Sequence, residues 1–301
     1  MRIEQLQYFV EVARHQSFSL AAGHLHISQP SISQGISDLE KELNVKLFER
    51  SRSGVQLTKT GQTLLKKAQS ALNLVQDIYD EARAESQSLT GNLQIAAIPS
   101  MCNAFLSDVL SIYKKKHPHV RLEVSEDGTK QIMQDVIAGR ADLGFISSQP
   151  GDLIDNRIEF HRMLTGTYVA CIGKHSPVPL YNPMPAEVIA DEPIITFKPG
   201  YRQEEYLKKL LKTDRLNVLL TIGYTEAAKK LIAEGVAIGF YPDFSIRKDP
   251  YVQSGEIIPL DIKDNELMLH FGWIRLKSKH MSKAAGEFIK VLRNVIDGSQ
   301  M

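Results

Sequence analysis

Cysteine is scarce in this chain of 301 residues, which contains only Cys102 and Cys171. Two cysteines exclude the disulfide framework of a small secreted domain, and they give no metal-ligand spacing such as CxxC. No apolar run reaches 18 residues, and charged residues interrupt the N-terminal stretch where a signal peptide would need an apolar segment. We therefore expect a cytoplasmic protein with no membrane partner.

Motifs of catalysis are missing as well. The sequence contains no GxSxG, no P-loop and no HExxH, and its histidines show no metal-binding spacing. His24 and His26 fall on one short predicted helix, and His117 and His119 flank Pro118 in a predicted loop. We therefore expect no catalytic residues, no cofactor and no metal site, which argues against an enzyme with an attached binding domain.

The charge of the chain is unevenly distributed. Hydrophobic residues make up 43% and charged residues 24% of the chain, as in an ordinary globular protein, and the formal net charge is only +1. Residues 1–67 contain nine basic and six acidic side chains, a net charge of +3, whereas residues 68–90 carry a net charge of −3. This division suggests an anionic partner for the N-terminal segment alone.

The N-terminal segment has the pattern of a helix-turn-helix. Apolar residues at helical spacing predict a first helix over residues 3–15, and Ser17 offers an N-cap for a short second helix, FSLAAGHLHI. Ser28 and Pro30 then mark the start of a third helix. Its core-facing stripe is predicted to be Ile32, Ile36, Leu39 and Leu43. Two short helices joined by a tight polar turn form a helix-turn-helix.

The start of the third helix carries small hydrogen-bonding side chains. Such residues suit direct contact with base edges in the major groove, and a helix N-terminus favours phosphate. The same residues are compatible with an ordinary capped surface helix. The predicted DNA-binding residues of this helix are Ser28, Gln29, Pro30, Ser31, Ser33 and Gln34.

The segment LFERSRSGVQLTKTG predicts a small β-hairpin, or wing. Arg50 and Arg52 lie beside Gly54 at its tip, where guanidinium groups can enter the minor groove or pair with phosphates. A charged tip that only keeps the hairpin soluble is the alternative. We add Thr58, which follows the second strand of the hairpin, to the predicted DNA-binding residues.

The ordered motifs FSLAA, SQPSIS, LEKELNVKLFER and LTKTG extend over about 60 residues without a gap. In this order they resemble the winged helix-turn-helix of LysR-type bacterial transcriptional regulators, and the rest of the chain has the family's length and layout. The family often has a basic residue and then glutamine after the second serine of this helix. Gln34 and Gly35 stand there instead, so we predict no operator sequence. The glycine, which costs a helix about 1 kcal/mol relative to alanine, permits close approach to DNA or is neutral.

A long helix is predicted to follow the wing. Residues 60–88 contain no proline, and apolar residues recur at helical spacing from Leu64 to Ala82. A helix of this length suits a dimerising linker, which would present two recognition helices to successive turns of DNA. A helix packed on its own chain's core is the alternative. The break at SLTGN, residues 88–92, marks a domain boundary.

The remaining two thirds alternate strands and helices, which predicts an α/β fold with mainly parallel sheets. The resemblance implies a two-lobed, periplasmic-binding-protein-like regulatory domain with a small effector between its lobes. The predicted division is a winged helix-turn-helix at 1–58, a linker helix at 59–89, lobe 1 at 92–163 with 268–301, and lobe 2 at 164–267. The family further implies a homodimer or homotetramer on promoter DNA, with RNA polymerase as a possible further partner.

Two strand-to-helix turns are candidates for the effector site, because ligands of open α/β sheets bind beyond the carboxyl ends of strands. IPSMCN offers the Ser100 hydroxyl and free backbone N–H groups to an anion. FKPGYRQEE offers Tyr201 and Arg202, and a guanidinium group can hold a carboxylate through two parallel hydrogen bonds. We therefore predict an anionic effector, most simply a carboxylate.

Thr129, which matches a pocket position of related regulators, and Thr196 complete the predicted effector set. Each serine or threonine is also compatible with a plain N-cap, and Arg202 with an ion pair to Glu204 or Glu205. The alternative input signal is oxidation of Cys102, which lies near the predicted effector mouth. Peroxide-sensing members of the family carry two cysteines close together in the regulatory domain, whereas Cys102 and Cys171 are far apart in sequence.

Overall fold

The computed structural model of the protein describes residues 1–51, 54–83 and 89–299. These residues form two compact units, Met1–Leu89 and Thr90–Met301. Each unit is described by itself below.

The first unit consists of helices and one antiparallel hairpin. Its elements are α1 Ile3–His15, α2 Phe18–Leu25, α3 Gln29–Leu43, β1 Phe48–Ser51, β2 Gly54–Leu57 and α4 Lys59–Arg83. The hydroxyl groups of Ser17 and Ser28 cap α2 and α3 by accepting from backbone N–H groups three residues ahead. His26 adopts a left-handed backbone and ends α2 at Leu25, so this helix is shorter than predicted.

One hydrophobic core joins these elements. Phe9, Ile32, Leu39 and Leu47 are fully buried in it. The prediction for Leu43 was wrong: 38% of this residue is exposed, because it is the last residue of α3 and lies beyond the edge of the core.

Helix α4 divides into two parts. Near its start, Leu64, Leu65 and Ala68 pack against the core of the first unit. Further along, Leu74, Ile78 and Tyr79 are 54%, 68% and 57% exposed. The first turns of α4 therefore serve their own chain's core, whereas the later turns leave apolar side chains uncovered within the described part of this unit.

The second unit contains two lobes. The first is a mixed five-stranded sheet in the order β4-β3-β5-β12-β6, in which β3 is parallel to β4 and β5, and β12 is antiparallel to both neighbours. The strands are β3 Gly91–Ala97, β4 Val120–Glu126, β5 Leu143–Ser148, β6 Ile158–Gly166 and β12 Leu269–Leu276. Its helical segments are α5 Pro99–Met101, a π-helical turn Cys102–Leu106, α6 Ser107–Lys116, α7 Thr129–Ile137 and α13 Lys283–Ser299.

The second lobe is built on a three-stranded antiparallel sheet, β10-β7-β11, and a parallel pair, β8-β9. Its strands are β7 Tyr168–Gly173, β8 Ile194–Phe197, β9 Val218–Ile222, β10 Gly239–Pro242 and β11 Ile257–Leu260. Its helices are α8 Ala186–Asp191, α9 Gln203–Leu210, α10 Thr225–Ala233, α11 Asp243–Ile246 and α12 Pro250–Gln253. The chain passes from lobe to lobe between β6 and β7, and it returns before β12.

Some predicted details differ from the structure. The sheets are less parallel than expected, since β6 and β11 both pair antiparallel with their neighbours. The helix that follows β3 is predicted from the sequence to have the apolar positions Phe105, Val109, Leu110 and Ile112, but Ile112 is 47% exposed on α6. Tyr113 is buried instead, and its hydroxyl donates to the Ala284 carbonyl at 3.0 Å. Helix α13, which contains Ala284, covers the face of α6 on which Tyr113 lies. Among the described residues, no helix combines the length and apolar character needed to cross a membrane.

Candidate nucleic-acid interface and effector cleft

The N-terminal end of α3 is exposed and polar. Ser28, Gln29, Pro30 and Ser31 are all exposed. The Ser28 hydroxyl accepts from the Ser31 N–H at 3.3 Å and lies 2.7 Å from the Ser31 hydroxyl. The cap thus fixes the first turn while the side chains of this turn remain accessible.

The next turn of α3 presents Ser33, which is half-buried, and Gln34, which is exposed. The Gln34 side chain donates to Asp38 at 2.8 Å, one helical turn away on the same surface. This bond leaves the amide oxygen of Gln34 available as an acceptor.

Gly35 faces the interior of the first unit. A β-carbon at this position would lie 2.7 Å from the Tyr8 ring of α1, closer than real contacts allow. Neither of the two explanations from the sequence holds, because Gly35 is needed for the close packing of α1 on α3 and has no access to DNA.

The wing is described in part. Arg50 pairs with Val55 across the hairpin, whereas the Arg50 side chain and Arg52 lie outside the described part of the structure. The Thr58 hydroxyl donates to the Lys46 carbonyl at 2.7 Å and accepts from the Gly61 N–H at 2.8 Å. Thr58 therefore caps α4 and joins it to the hairpin.

Glu40 connects the recognition helix to the hairpin and was not singled out from the sequence. Its carboxylate accepts from the backbone N–H groups of Leu47 at 2.8 Å and Phe48 at 3.2 Å, and it pairs with Lys46 at 2.6 Å. Burial would raise the pKa of Glu40, but these hydrogen bonds outweigh burial and hold the pKa below its ordinary value. Glu40 could have been found from the sequence, because it is an acidic residue directly after the predicted core residue Leu39.

In the second unit, a cleft lies between the lobes at the carboxyl ends of β3, β8 and β10. Its empty volume is about 490 Å³, which includes the part that is open to solvent. Its lining residues carry no charged side chain: Ile98, Pro99, Ser100, Asn103, Ser147, Tyr168, Phe197, Tyr201, Gln203, Thr225, Phe240, Tyr241, Pro242 and Phe271. Aromatic walls and a few polar groups suit a small ligand with a flat apolar part.

Two helix N-termini meet at this cleft, one from each lobe. Ser100 is in the first turn of α5, which continues through the π-helical turn into α6, and Thr225 opens α10. The Thr225 hydroxyl is buried and has no hydrogen-bond partner in the structure. The positive ends of helices favour anions, so this neutral lining can still hold negative charge.

The predicted effector residues separate into three places. Ser100 and Tyr201 line the cleft. Thr129 and Arg202 line a neighbouring recess between α7 and the segment before α9, and the buried Thr129 hydroxyl has no hydrogen-bond partner in the structure. Thr196 lies in neither place, because it is 1% exposed within β8 and its hydroxyl is 3.3 Å from that of Thr221.

Arg202 is already occupied by acidic groups of the protein. Its guanidinium group donates two parallel hydrogen bonds to Asp152, at 2.6 and 2.9 Å, and it also contacts Glu205. The hydrogen bond from Arg202 holds the pKa of Asp152 below its ordinary value. Glu205 was an expected partner, but Asp152, which follows β5 of the first lobe, was not. The Arg202–Asp152 pair connects the two lobes.

A second connection between the lobes is a close backbone contact. The Lys130 N–H donates to the Gly200 carbonyl at 3.4 Å. A β-carbon on Gly128 would lie 2.5 Å from that same carbonyl oxygen. Only glycine at position 128 permits this approach.

Sequence reasoning missed several residues of the cleft. Thr225 follows a strand and opens a helix, which is the pattern that identified Ser100, so the sequence contained its signal. Gln203 is 3% exposed, and its side chain accepts from Phe197 N–H and donates to the Phe240 carbonyl. Tyr168 and Tyr241 come from paired strands and have no local motif.

Family comparisons agree with this arrangement. The family model described as the LysR substrate binding domain matches residues 86–297. The model described as the bacterial regulatory helix-turn-helix protein, lysR family, matches residues 3–62. The chain belongs to the LysR family of bacterial transcriptional regulators. It is therefore a DNA-binding regulator with an effector-binding domain, and its family is one of regulators, not of enzymes.

Individual relatives are distant but match over nearly the whole chain. The chain is 28% identical to the HTH-type transcriptional regulator YcgK of Bacillus subtilis, covering 97% of this chain and 94% of the relative. It is 26% identical to the HTH-type transcriptional activator CmpR of Synechocystis, covering 96% and 94%.

Solved structures share the fold. A full-length OxyR variant from Pseudomonas aeruginosa has a TM-score of 0.77 at 21% identity, covering 98% of this chain and 94% of that one. CbnR complexed with its target DNA has a TM-score of 0.65 at 21% identity, covering 98% and 100%. At this identity the likeness concerns the fold alone.

Proposed function

We propose that this regulator controls transcription by linking a small carboxylate effector to promoter DNA. Its parts would be a winged helix-turn-helix at 1–58, a dimerising helix at 59–89, lobe 1 at 92–163 with 268–301, and lobe 2 at 164–267. The observation that carries the effector proposal is the convergence of two helix N-termini, near Ser100 and Thr225, on one cleft without charged lining side chains. Because its partner is promoter DNA, the protein would act in the cytoplasm.

The proposed DNA contacts come from the start of α3 and from the wing. The exposure of Ser28, Gln29 and Ser31 supports this assignment, because these side chains can reach base edges while the cap holds the helix end. Arg50 and Arg52 would contact phosphates or the minor groove, as the sequence predicts, and Thr58 would position the wing through its bond to Lys46.

Binding to the protein's own upstream region tests this interface. Gln29→Ala should weaken the specific complex about tenfold or more, as expected for loss of a base contact. Gln7→Ala is the matched control, because Gln7 is also exposed but lies on α1. Anisotropy titrations across a salt series would measure both variants, and equal affinities of the two would reject the assignment of α3.

A dimer, or a tetramer built from dimers, would form through the later turns of α4. Support comes from the uncovered side chains of Leu74, Ile78 and Tyr79. Ile78→Glu should shift the protein toward monomers in sedimentation experiments, whereas Ser70→Glu, an exposed site on the same helix, should not. RNA polymerase is a further proposed partner of the assembled complex.

The effector proposal assigns Ser100 and Thr225 as the groups that hold the carboxylate. Each should donate a hydrogen bond from its hydroxyl, assisted by the N–H groups of its helix end. Tyr201 and the other aromatic residues would pack against the remainder of the effector. Arg202 would keep the lobes together through Asp152, and Thr129 and Thr196 would support the surrounding backbone.

Calorimetric titration with a panel of small carboxylic acids and their uncharged amides tests the effector class. Ser100→Ala and Thr225→Ala should each weaken binding of the acid about tenfold, since hydrogen bonds to charged groups are worth about 1.5–3 kcal/mol. Ser107→Ala, exposed on α6, is the control. Amides that bind as tightly as the acids would reject the anionic class. Unchanged affinity of Arg202→Ala would show that the Arg202–Asp152 pair does not support the cleft.

Oxidation of Cys102 is the alternative input, and less supports it. Burial, followed by the nearby Glu126 carboxylate, raises the pKa of the Cys102 thiol to about 12. The reactive thiolate is therefore scarce at neutral pH. Cys171 is fully buried within β7 of the other lobe.

A further inference from the structure

Three potential metal ligands meet on the surface of the first unit, although no metal site was expected from the sequence. Glu11 and His15 lie one turn apart on α1, and His24 lies near the end of α2. The Glu11 Oε2 atom is 2.9 Å from His24 Nδ1 and 3.3 Å from His15 Nε2. Among the described residues, this is the group of histidine, cysteine and acidic side chains whose ligand atoms all lie within 4.8 Å of one another.

The distances between these donor atoms can be compared with those around a metal ion that has four ligands in tetrahedral geometry. Zinc binds imidazole nitrogen and carboxylate oxygen at about 2.0–2.2 Å, so two ligands of one tetrahedral ion lie about 3.3 Å apart. The two distances from Glu11 Oε2, 2.9 and 3.3 Å, are close to this value, and all three donor atoms lie within 4.8 Å of one another, so side-chain movements alone can bring them around one ion.

The orientation of the three groups supports the same conclusion. Glu11 Oε2 and His15 Nε2 are buried atoms without a hydrogen-bond partner, although the distances between the groups are short. The rings of His15 and His24 are tilted by 48°, with centroids 5.3 Å apart. Atoms that lie close together without pointing at one another are what a shared central ion requires. Buried polar atoms without partners otherwise destabilise a fold.

Access and local charge also allow binding. The His24 side chain is 55% exposed, so an ion can enter from solvent and keep a water molecule as its fourth ligand. Arg14 is the nearest competing cation, and it contacts the other carboxylate oxygen, Oε1, at 3.8 Å. It therefore leaves Oε2 for the ion.

We propose that Glu11, His15 and His24 bind one divalent transition-metal ion, zinc in the first instance. Two imidazoles and one carboxylate form a donor set that zinc accepts readily. The ion would join α1 to α2, the helix that precedes the recognition helix. Ion binding stabilises the folded first unit, Met1–Leu89, which we call the head. The reason is that the unfolded chain does not hold the three ligands together.

Direct measurement of metal binding tests this proposal. Untagged full-length protein, freed of metal with a chelator, should bind about one zinc ion per chain in calorimetric titration. Cobalt in place of zinc should give the visible absorption of a tetrahedral site. Zinc should also raise the melting temperature of the head by a few degrees.

Variants then locate the ion. Glu11→Gln and His24→Gln should abolish stoichiometric zinc binding and the cobalt absorption. His26→Asn should bind normally, since His26 is an exposed histidine of the same segment and asparagine accepts its left-handed backbone. Wild-type protein that binds no zinc would overturn the proposal. So would binding that survives both ligand variants, or binding that His26→Asn abolishes. Circular dichroism of each variant confirms that the helices remain folded. His24→Gln, which replaces a side chain that is 55% exposed, decides the question if Glu11→Gln does not fold.

Discussion

The proposed recognition helix, α3, and the proposed effector cleft both use the N-terminal end of a helix, but they are assembled in different ways. In the head, Ser28, Gln29 and Ser31 belong to one turn of α3 and are held by one cap. In the cleft, Ser100, Gln203 and Thr225 come from three segments and two lobes. The head site therefore forms whenever α3 folds, whereas the cleft exists only while the lobes keep their arrangement.

This difference indicates where each site is vulnerable. Damage to the DNA-reading surface should follow from changes in α3 or its support. Damage to the cleft should follow from changes at distant residues that anchor its helices or join its lobes.

Lys229→Met should destabilise the second unit by about 3–5 kcal/mol, because it leaves Asp249 buried without its partner. Lys229 pairs with Asp249, and both side chains are 4% exposed. The pair fixes α10, whose first residue is Thr225, to the start of α12. Urea unfolding of the full-length protein would measure the loss.

Lys230→Met is the control for this change, because Lys230 is the exposed neighbour of Lys229 on the same helix. It should alter the free energy of unfolding by less than about 0.5 kcal/mol. If both variants were equally stable, the buried pair would not anchor the cleft, and the contrast between the two sites would lose its main support.

The same contrast explains how much the sequence could predict. Helices α1 to α3 and the N-caps of α2 and α3 follow from local patterns, although α2 ends two residues earlier than predicted. The alternation of strands and helices follows from local patterns as well. Local patterns do not reveal which distant element covers a given face. Leu43 and Ile112 continue apolar stripes and yet are exposed, whereas Gly35 is buried against Tyr8.

The candidate sites show the same limit. The residues at the start of α3 are consecutive, so their common position at one helix end follows from the sequence, and their contact with DNA remains a prediction. In the cleft, Ser100 and Tyr201 were found from strand-to-helix turns, but the partner of Arg202 was not. Asp152 is 50 residues away in sequence, and its contact with Arg202 exists only because two lobes meet.

Glu40→Gln should destabilise the head by about 1.5–3 kcal/mol at neutral pH, the value of hydrogen bonds to a charged group. The pKa of Glu40 in the folded protein lies below its ordinary value of 4.5. Its contribution is therefore complete above pH 4.5 and is lost as the pH falls through the lower, folded-state pKa. The variant should show a flatter decline of stability in acid.

Denaturant unfolding of the head at neutral and acidic pH would measure this effect. Glu49→Gln is the control, since Glu49 is exposed on β1. Equal acid sensitivity of the wild type and Glu40→Gln would show that the support of α3 by the hairpin does not depend on this carboxylate.

Gly128→Ala should weaken effector binding about tenfold while leaving effector-free DNA affinity within about twofold. The added carbon would lie 2.5 Å from the Gly200 carbonyl oxygen, so the lobes must shift at this contact. Overpacking of this kind costs about 1–3 kcal/mol. Gly151→Ala is a control for the loss of a glycine, because nothing lies within 4 Å of its added carbon. Gly151 has a positive φ, so its substitution carries backbone strain without touching the contact. Effector affinity that falls equally in both variants would point to strain in general and not to the contact between lobes.

Cys102→Ser should have the smallest effect, with less than about a twofold change in DNA affinity and no change in the response to peroxide. Burial, with the Glu126 carboxylate adding to it, raises the pKa of the Cys102 thiol to about 12, so peroxide meets a protonated thiol at neutral pH. Footprints of wild type and variant, recorded with and without peroxide, would measure the response. A peroxide effect present in the wild type and absent from Cys102→Ser would make a single side chain of the first lobe the sensor. The cleft would then resemble the head in depending on one local group, and the contrast between a local and an assembled site would no longer hold.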